Sequence, residues 1–210
     1  MKQKLALFDL DHTLIPMDSD HQWGVFTTTL GWTDAAEFTQ RNDGFYAQYQ
    51  EGTMDIHEYI DFATLSIRHQ GATKSIAAHQ EFMSAVVQKA IKPEALALVR
   101  QHQAAGDAVV IVTATNEFVT RPIAAAFGVP ELLAVNLVRD PASGWYTGAI
   151  DGTPSFRDGK VTRVAQWLAE RGLDWDTVES TFYSDSINDL PLLEKVTHAV
   201  ATNPDARLRQ

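Results

Sequence analysis

The 210-residue chain contains no cysteine, which excludes both a disulfide framework and a thiolate metal site. Positive charge is also scarce. Seventeen Lys and Arg stand against 27 Asp and Glu, for a formal net charge of −10. A field of that sign argues against nucleic acid or an anionic membrane surface as the main partner. Long apolar runs are missing as well, and no stretch could span a bilayer. The N-terminal Met1-Lys2-Gln3-Lys4 leads into an apolar run, Leu5 to Phe8, too short for a signal peptide. Together these absences point to a cytoplasmic protein with neither a membrane nor a nucleic-acid partner. An anionic ligand would have to be captured locally, by a metal ion or a focused cluster of donors.

What is present reads as an ordinary globular chain, 45% hydrophobic and 21% charged. Its length suffices for one good core and a smaller inserted unit. Leu5-Ala6-Leu7-Phe8 is a short apolar run that stops abruptly at Asp9-Leu10-Asp11, as a buried strand with a polar carboxyl end would. Residues 108–112 stop in the same way at Thr113-Ala114-Thr115, residues 132–138 at Arg139, residues 178–183 at Ser184-Asp185, and residues 199–201 at Thr202.

Helical patterns alternate with these runs. One begins at Pro93 and ends near Gly106; another carries Val161, Val164, Ala165 and Leu168 and stops at Gly172. The alternation predicts an α/β fold, a parallel sheet with helices on both faces, whose ligands sit beyond the carboxyl ends of the strands. Residues 16–92 interrupt it with helical stripes, Ile56, Tyr59, Ile60, Ala63 and Ile67 among them, and almost no strand pattern. We expect an inserted α-helical domain over 16–92, on a core made of residues 1–15 and 93–210. Gly144-Trp145-Tyr146-Thr147-Gly148 reads as a small hairpin or turn without an evident role.

Four features carry chemistry, and each has a plainer reading. Asp9 and Asp11, two apart at a strand end, place their side chains on one face with Cα atoms roughly 6 to 7 Å apart. Such a pair divides the work of nucleophile and acid/base, or binds a hard cation, or is merely a solvated strand end. The Thr113 hydroxyl and the N–H groups after it suit phosphate oxygens, although a Thr there is often a cap. Lys160 opens a helix where the dipole disfavours a cation, so it either serves nearby anions or is solvated. Asp185 and Asp189 make a second acidic pair at a second strand end; an N-cap accounts for only one of them. His12 and His21 show no metal-type pairing, so zinc is not expected.

Taken in order, Phe8-Asp9-Leu10-Asp11-His12-Thr13-Leu14, Val110-Ile111-Val112-Thr113, Lys160 and Tyr183-Ser184-Asp185-Ser186-Ile187-Asn188-Asp189 resemble the four motifs of the haloacid dehalogenase (HAD) superfamily. The match covers nearly the whole chain. The insertion after the first motif is similar to the subgroup containing phosphoserine phosphatases, and Thr113-Ala114-Thr115-Asn116-Glu117-Phe118-Val119-Thr120 resembles a bacterial branch of it. The resemblance implies a Rossmann-like core with a C1-type helical cap, and a phosphatase of a small-molecule phosphate monoester that works through an aspartyl-phosphate. It implies Asp9 as nucleophile and Asp11 as acid/base. It also implies Mg²⁺ held by Asp9, the Asp11 carbonyl and Asp185, with Asp189 supporting them. Thr113, Ala114 and Lys160 would take the phosphate.

Phosphoserine phosphatases carry a cap arginine that grips the substrate carboxylate; here Asp61-Phe62-Ala63 occupies that region, with Arg68 two helical turns on. Asp18 or Asp20 would grip a substrate amine. The expectation is a substrate with an amine and no carboxylate, such as histidinol phosphate. Phosphoserine hydrolysis, phosphotransfer to an alcohol, and a non-catalytic phosphate- or Mg²⁺-binding module are the alternatives. The cap would hinge near Pro16 and near residues 90–93.

Overall fold

The computed structural model describes residues 2–210. Five strands form one parallel sheet: β1 (Gln3–Phe8), β2 (Ala108–Asn116), β3 (Glu131–Val135), β6 (Val178–Ser184) and β7 (His198–Ala201), in the order β3-β2-β1-β6-β7. The period of two along each strand splits the apolar runs between two cores. Ala6, Phe8, Val109 and Ile111 face one core, with Val99 of α5 (Pro93–Ala104) and Val119 and Ile123 of α6 (Glu117–Ala126). Leu5, Leu7, Val110 and Val112 face the other, with Val164 and Leu168 of α7 (Asp158–Ala169) and Leu192 of α8 (Leu190–Lys195). Strands this apolar on both faces are stable only between two helical layers, as the sequence predicts. The chain runs outward from β1 through β2 to β3, then returns to β1's other side for β6. The switch in strand order therefore falls at β1, where Asp9 follows.

Between β1 and β2 stand α1 (Ser19–Thr29), α2 (Ala35–Glu51), α3 (Ile56–Phe82), a π-helical turn (Met83–Val87) and the short α4 (Gln88–Ala90). Asp18, Asp34 and Asp55 cap the first three helices, each accepting backbone N–H groups of the first turn. α3 is kinked at Gly71, where φ is 74° and ψ 174°. Trp23, Ile60, Ile67 and Phe82 bury the inner face of this insertion in the same core as Phe8. Among the described residues no helix is long and apolar enough to cross a membrane.

The run 132–138 is not one strand. It stays in the sheet to Val135, breaks at Asn136, and resumes as β4 (Leu137–Arg139), which pairs antiparallel with β5 (Tyr146–Ile150). Unbroken apolar character conceals a change of partner, because both halves are buried. The hairpin includes the Gly144–Gly148 segment and has a definite task. Trp145 Nε1 donates to the Ile67 carbonyl at 2.9 Å, which ties α3 to the core.

Candidate active site

The carboxyl ends of β1, β2 and β6, together with the start of α7, converge beneath the insertion on a cleft of about 310 Å³. Asp9 continues β1, its N–H bonded to the Tyr183 carbonyl of β6 at 2.9 Å. Lys160 lies in the first turn of α7, against the helix dipole. Its turn is tight: a Cβ on Gly159 would stand 2.0 Å from the Pro154 carbonyl oxygen.

The ammonium is offset by two buried anions. Lys160 Nζ is 2.7 Å from Asp9 Oδ1 and 2.7 and 2.8 Å from the two oxygens of Asp189. Ser184 Oγ donates to Asp189 at 2.7 Å and fixes its orientation. All of Asp9, Lys160 and Asp189 are buried. A lone charge there would be prohibitive, so the trio stands or falls together.

Burial raises the Asp9 carboxyl well above its ordinary range; Lys160 opposes this, while the charges of Asp189 and Asp185 add to it. Burial alone would lower Lys160, but Asp189 and Asp9 together outweigh it and hold the ammonium firmly protonated.

Asp11 faces the same cleft. Its Oδ1 accepts the Ser19 N–H of α1 at 2.8 Å, and its Oδ2 accepts the Thr115 hydroxyl at 2.7 Å. Burial, then the neighbouring charge of Asp18, pushes its carboxyl up to about 6, against the pull of those bonds. It can therefore gain and lose a proton near neutrality, as an acid/base must.

Thr113 and Ala114 line the cleft at the end of β2. Asp185 also lines it, its Oδ1 taking the Thr13 hydroxyl at 3.1 Å. Burial raises Asp185 as well. Six carboxylates line the cleft (Asp9, Asp11, Asp18, Asp185, Asp189 and Asp205) against the cations Lys160 and Arg207. An anionic ligand needs more positive charge than that. The available donors are hard oxygens, and among the described residues no three acidic or histidine side chains converge. Two carboxylates, a backbone carbonyl and water form the donor set of a small hard cation.

The cap-side expectations divide. Asp18 lines the cleft, with its Oδ1 capping α1 through the His21 N–H at 2.8 Å. Asp20 does not reach it. Its carboxyl turns into the insertion, accepts Asn116 Nδ2 at 3.2 Å, and is pushed up to about 8 by burial and by the charge of Asp18. Arg68 is also elsewhere. It folds back along α3 to the Asp61 carboxylate at 2.5 Å and the Asp61 carbonyl at 2.8 Å, and it lies against Gly148 of β5. The position that sequence offered for a carboxylate grip is thus spent on an ion pair under the hairpin.

Sequence reasoning passed over several site residues. Thr115, Ser184 and Thr13 orient the acids by donating to Asp11, Asp189 and Asp185. Phe45, Tyr46 and Tyr49 of α2 and Tyr59 of α3 form the aromatic wall. Asp205, Ala206 and Arg207, beyond β7, form one rim.

Residues 6–194 match the haloacid dehalogenase-like hydrolase family. A histidinol-phosphatase of Neisseria meningitidis serogroup C (strain 8013) is 42% identical over 99% of this chain and 94% of its own length. A crystal structure of a protein of unknown function from Bordetella pertussis Tohama I superposes with a TM-score of 0.92, at 47% identity, over 100% of this chain and 94% of that one. A substrate-bound phosphoserine phosphatase superposes at 0.68 with 15% identity, covering 100% and 90%, a likeness of fold alone. With its four sequence motifs gathered at one end of a parallel sheet, the chain belongs to the haloacid dehalogenase-like hydrolase family.

Proposed function

We propose that the protein is a Mg²⁺-dependent phosphatase that hydrolyses an amine-bearing phosphate monoester, with histidinol phosphate the leading substrate. The observation that carries this reading is the arrangement of Asp9 and Asp11 at the switch point, with Lys160 2.7 Å from Asp9. Asp9 attacks phosphorus, forming the Asp9–phosphorus bond as the ester oxygen leaves with a proton from Asp11. Water then attacks the aspartyl-phosphate, gives its proton to Asp11, and releases phosphate and the Asp9 carboxylate. Lys160, the Thr113 hydroxyl and the N–H groups after it stabilise charge on the phosphoryl oxygens. Asp9, the Asp11 carbonyl and Asp185 would hold Mg²⁺, which when bound screens the repulsion between carboxylate and phosphate. Asp189 keeps Lys160 in place.

Residues 16–92 act as the cap, hinged near Pro16 and residues 90–93, and exclude water on closing. Substrate choice rests on its wall. Asp18 supplies negative charge for an ammonium, and Tyr46, Tyr49 and Tyr59 offer faces to a flat ring. No Arg or Lys of residues 16–92 lines the cleft to receive a carboxylate. The Neisseria relative, a histidinol-phosphatase, supports the same choice. Steady-state kinetics with both esters in Mg²⁺ test it: kcat/KM for histidinol phosphate should exceed that for phosphoserine by at least about tenfold. A preference for phosphoserine would overturn the substrate, and inactivity on every monoester would overturn the reaction.

A further inference from the structure

The insertion meets the far side of the cleft at the C-terminal end of α2. The Tyr49 hydroxyl and Ser186 Oγ are 2.9 Å apart, and Asn188 Nδ2 donates to the Tyr49 carbonyl at 3.4 Å. Arg207 Nη1 donates to the Gln50 carbonyl at 2.6 Å. Carbonyls in the last turn of a helix lack intrahelical partners and carry the negative end of the dipole, so a guanidinium is the donor suited to them. α2 then ends at Gly52, with φ 79°.

Arg207 is presented by a segment with no strand or helix of its own, and that segment is nevertheless well held. Asp205 Oδ1 accepts the N–H groups of Arg207 and Leu208 at 2.9 and 2.7 Å, and its Oδ2 accepts the Ile187 N–H at 2.9 Å. The Asp205 N–H donates to the Asp185 carbonyl at 2.7 Å, and Leu208 packs on the core cluster that includes Leu192. The residues after β7 thus form a strap, fixed at one end to the loop that carries Asp185 and Asp189 and ending in a cation on the insertion.

We infer that Arg207 is a positioning residue of the reaction: it clasps the end of α2 and holds the cap closed over the cleft. It sets how often the closed, aromatic-walled state exists, and it need not touch the substrate. The inference rests on the proposed phosphatase reading for its kinetic arm only. If the closed state is less populated, apparent affinity falls in proportion, while the chemistry within closed complexes is unchanged.

The experiment compares wild type, Arg207→Ala, Arg207→Lys and Tyr49→Phe by steady-state kinetics on histidinol phosphate and by amide hydrogen exchange without substrate. Arg207→Ala should raise KM about five- to tenfold, change kcat less than about twofold, and speed exchange over residues 49–54. Tyr49→Phe, which removes the second cap bond, should shift both readouts the same way. Arg207→Lys keeps a cationic donor and should restore most of the loss. Unchanged KM and exchange in Arg207→Ala would overturn the clasp. So would a fall confined to kcat, which marks damage to the Asp185 loop, or a failure of lysine to restore. If wild type hydrolyses no ester the phosphatase reading falls, and the exchange arm still decides the clasp.

Discussion

The two walls of the cleft are built on different rules. On the core side each acid has a dedicated partner: Lys160 for Asp9, Thr115 for Asp11 (with the Ser19 N–H reaching it from the insertion), Thr13 for Asp185, and Ser184 with Lys160 for Asp189. On the cap side the groups are aromatic faces, one capping carboxylate and a helix end, and Tyr46 stands 55% exposed. The core wall has one permitted arrangement, because a misplaced buried charge there would cost several kcal/mol. The cap wall is freer at Tyr46, which is exposed and can be exchanged at little cost to folding, while Phe45, Tyr49 and Tyr59 pack on the core. On the proposed function, reaction type therefore belongs to the core wall and substrate choice to the cap wall.

The largest expected effect breaks the core wall. If Asp9 is the nucleophile, as proposed, Asp9→Asn should lower kcat by at least about 10⁴-fold, while circular dichroism and the unfolding midpoint show a folded protein. Chelation of divalent cations with EDTA should likewise abolish phosphate release, and added Mg²⁺ should restore it in wild type. Asp185→Asn should demand about tenfold or more Mg²⁺ for half-maximal rate. A normal Mg²⁺ requirement in Asp185→Asn would remove that residue from the metal site and undo the distinction between the walls at its root.

The difference between the walls also governs how much was legible beforehand. Strands β1, β2 and β6 and the polar residues at their ends were readable because a buried parallel strand must be apolar on both faces and its end abruptly polar. Lys160 stood out by opposing its helix dipole. The hydroxyls of Thr115 and Ser184 were hidden because a Thr or Ser at a strand end looks the same whether it caps a turn or orients an acid.

The cap wall was harder still. Tyr59 shares its stripe with Ile56 and Ile60, and nothing in helical spacing separates a residue that packs inward from one that also faces a cleft. Arg68 shows the converse: a cation in the right region whose partner, Asp61, lies seven residues back along the same helix. Arg207 was invisible because the strap follows no periodicity; its position depends on Asp205 finding the Ile187 N–H.

A second effect, about 3 kcal/mol, concerns the junction of the walls. His79 of α3 is buried among Trp23, Phe82 and Phe118, and its Nε2 meets the Val119 carbonyl at 3.0 Å, which places a proton on Nε2. Burial lowers its pKa to about 4. In the unfolded chain it titrates near about 6.5, so between those values the unfolded state binds the extra proton. Stability is therefore lost as pH falls from about 6.5 toward 4, by about 3 kcal/mol in all. Asp20, pushed up to about 8, acts in the opposite sense: between about pH 4 and 8 its native state holds a proton that the unfolded chain has lost, so stability rises as pH falls. The wild-type profile sums both with the raised carboxyls of Asp9, Asp11 and Asp185 and isolates none of them. The readout is the difference between wild type and His79→Gln in urea unfolding at pH 7 and pH 4.5: the variant should lose less stability on acidification. Equal acid sensitivity would mean that the ring is protonated in the folded protein and that the insertion is looser on α6 than the structure has it.

The smallest effect is the one that sharpens the comparison most, because it should change choice without changing chemistry. Asp18 lines the cleft while its Oδ1 caps α1, so Asp18→Asn keeps a capping oxygen and removes the charge. For an ammonium-bearing ester, kcat/KM should fall about tenfold, the range for a hydrogen bond to a charged group. For phosphoserine the outcome has two opposing parts: its ammonium loses the same partner, while its carboxylate escapes a repulsion. Its kcat/KM should therefore change by less than about threefold, and the ratio between the two esters should narrow. An equal fall for both would place Asp18 with the acids of the core wall, acting through Asp11, whose carboxyl its charge raises. Substrate choice would then rest on the tyrosines of α2 and α3 alone.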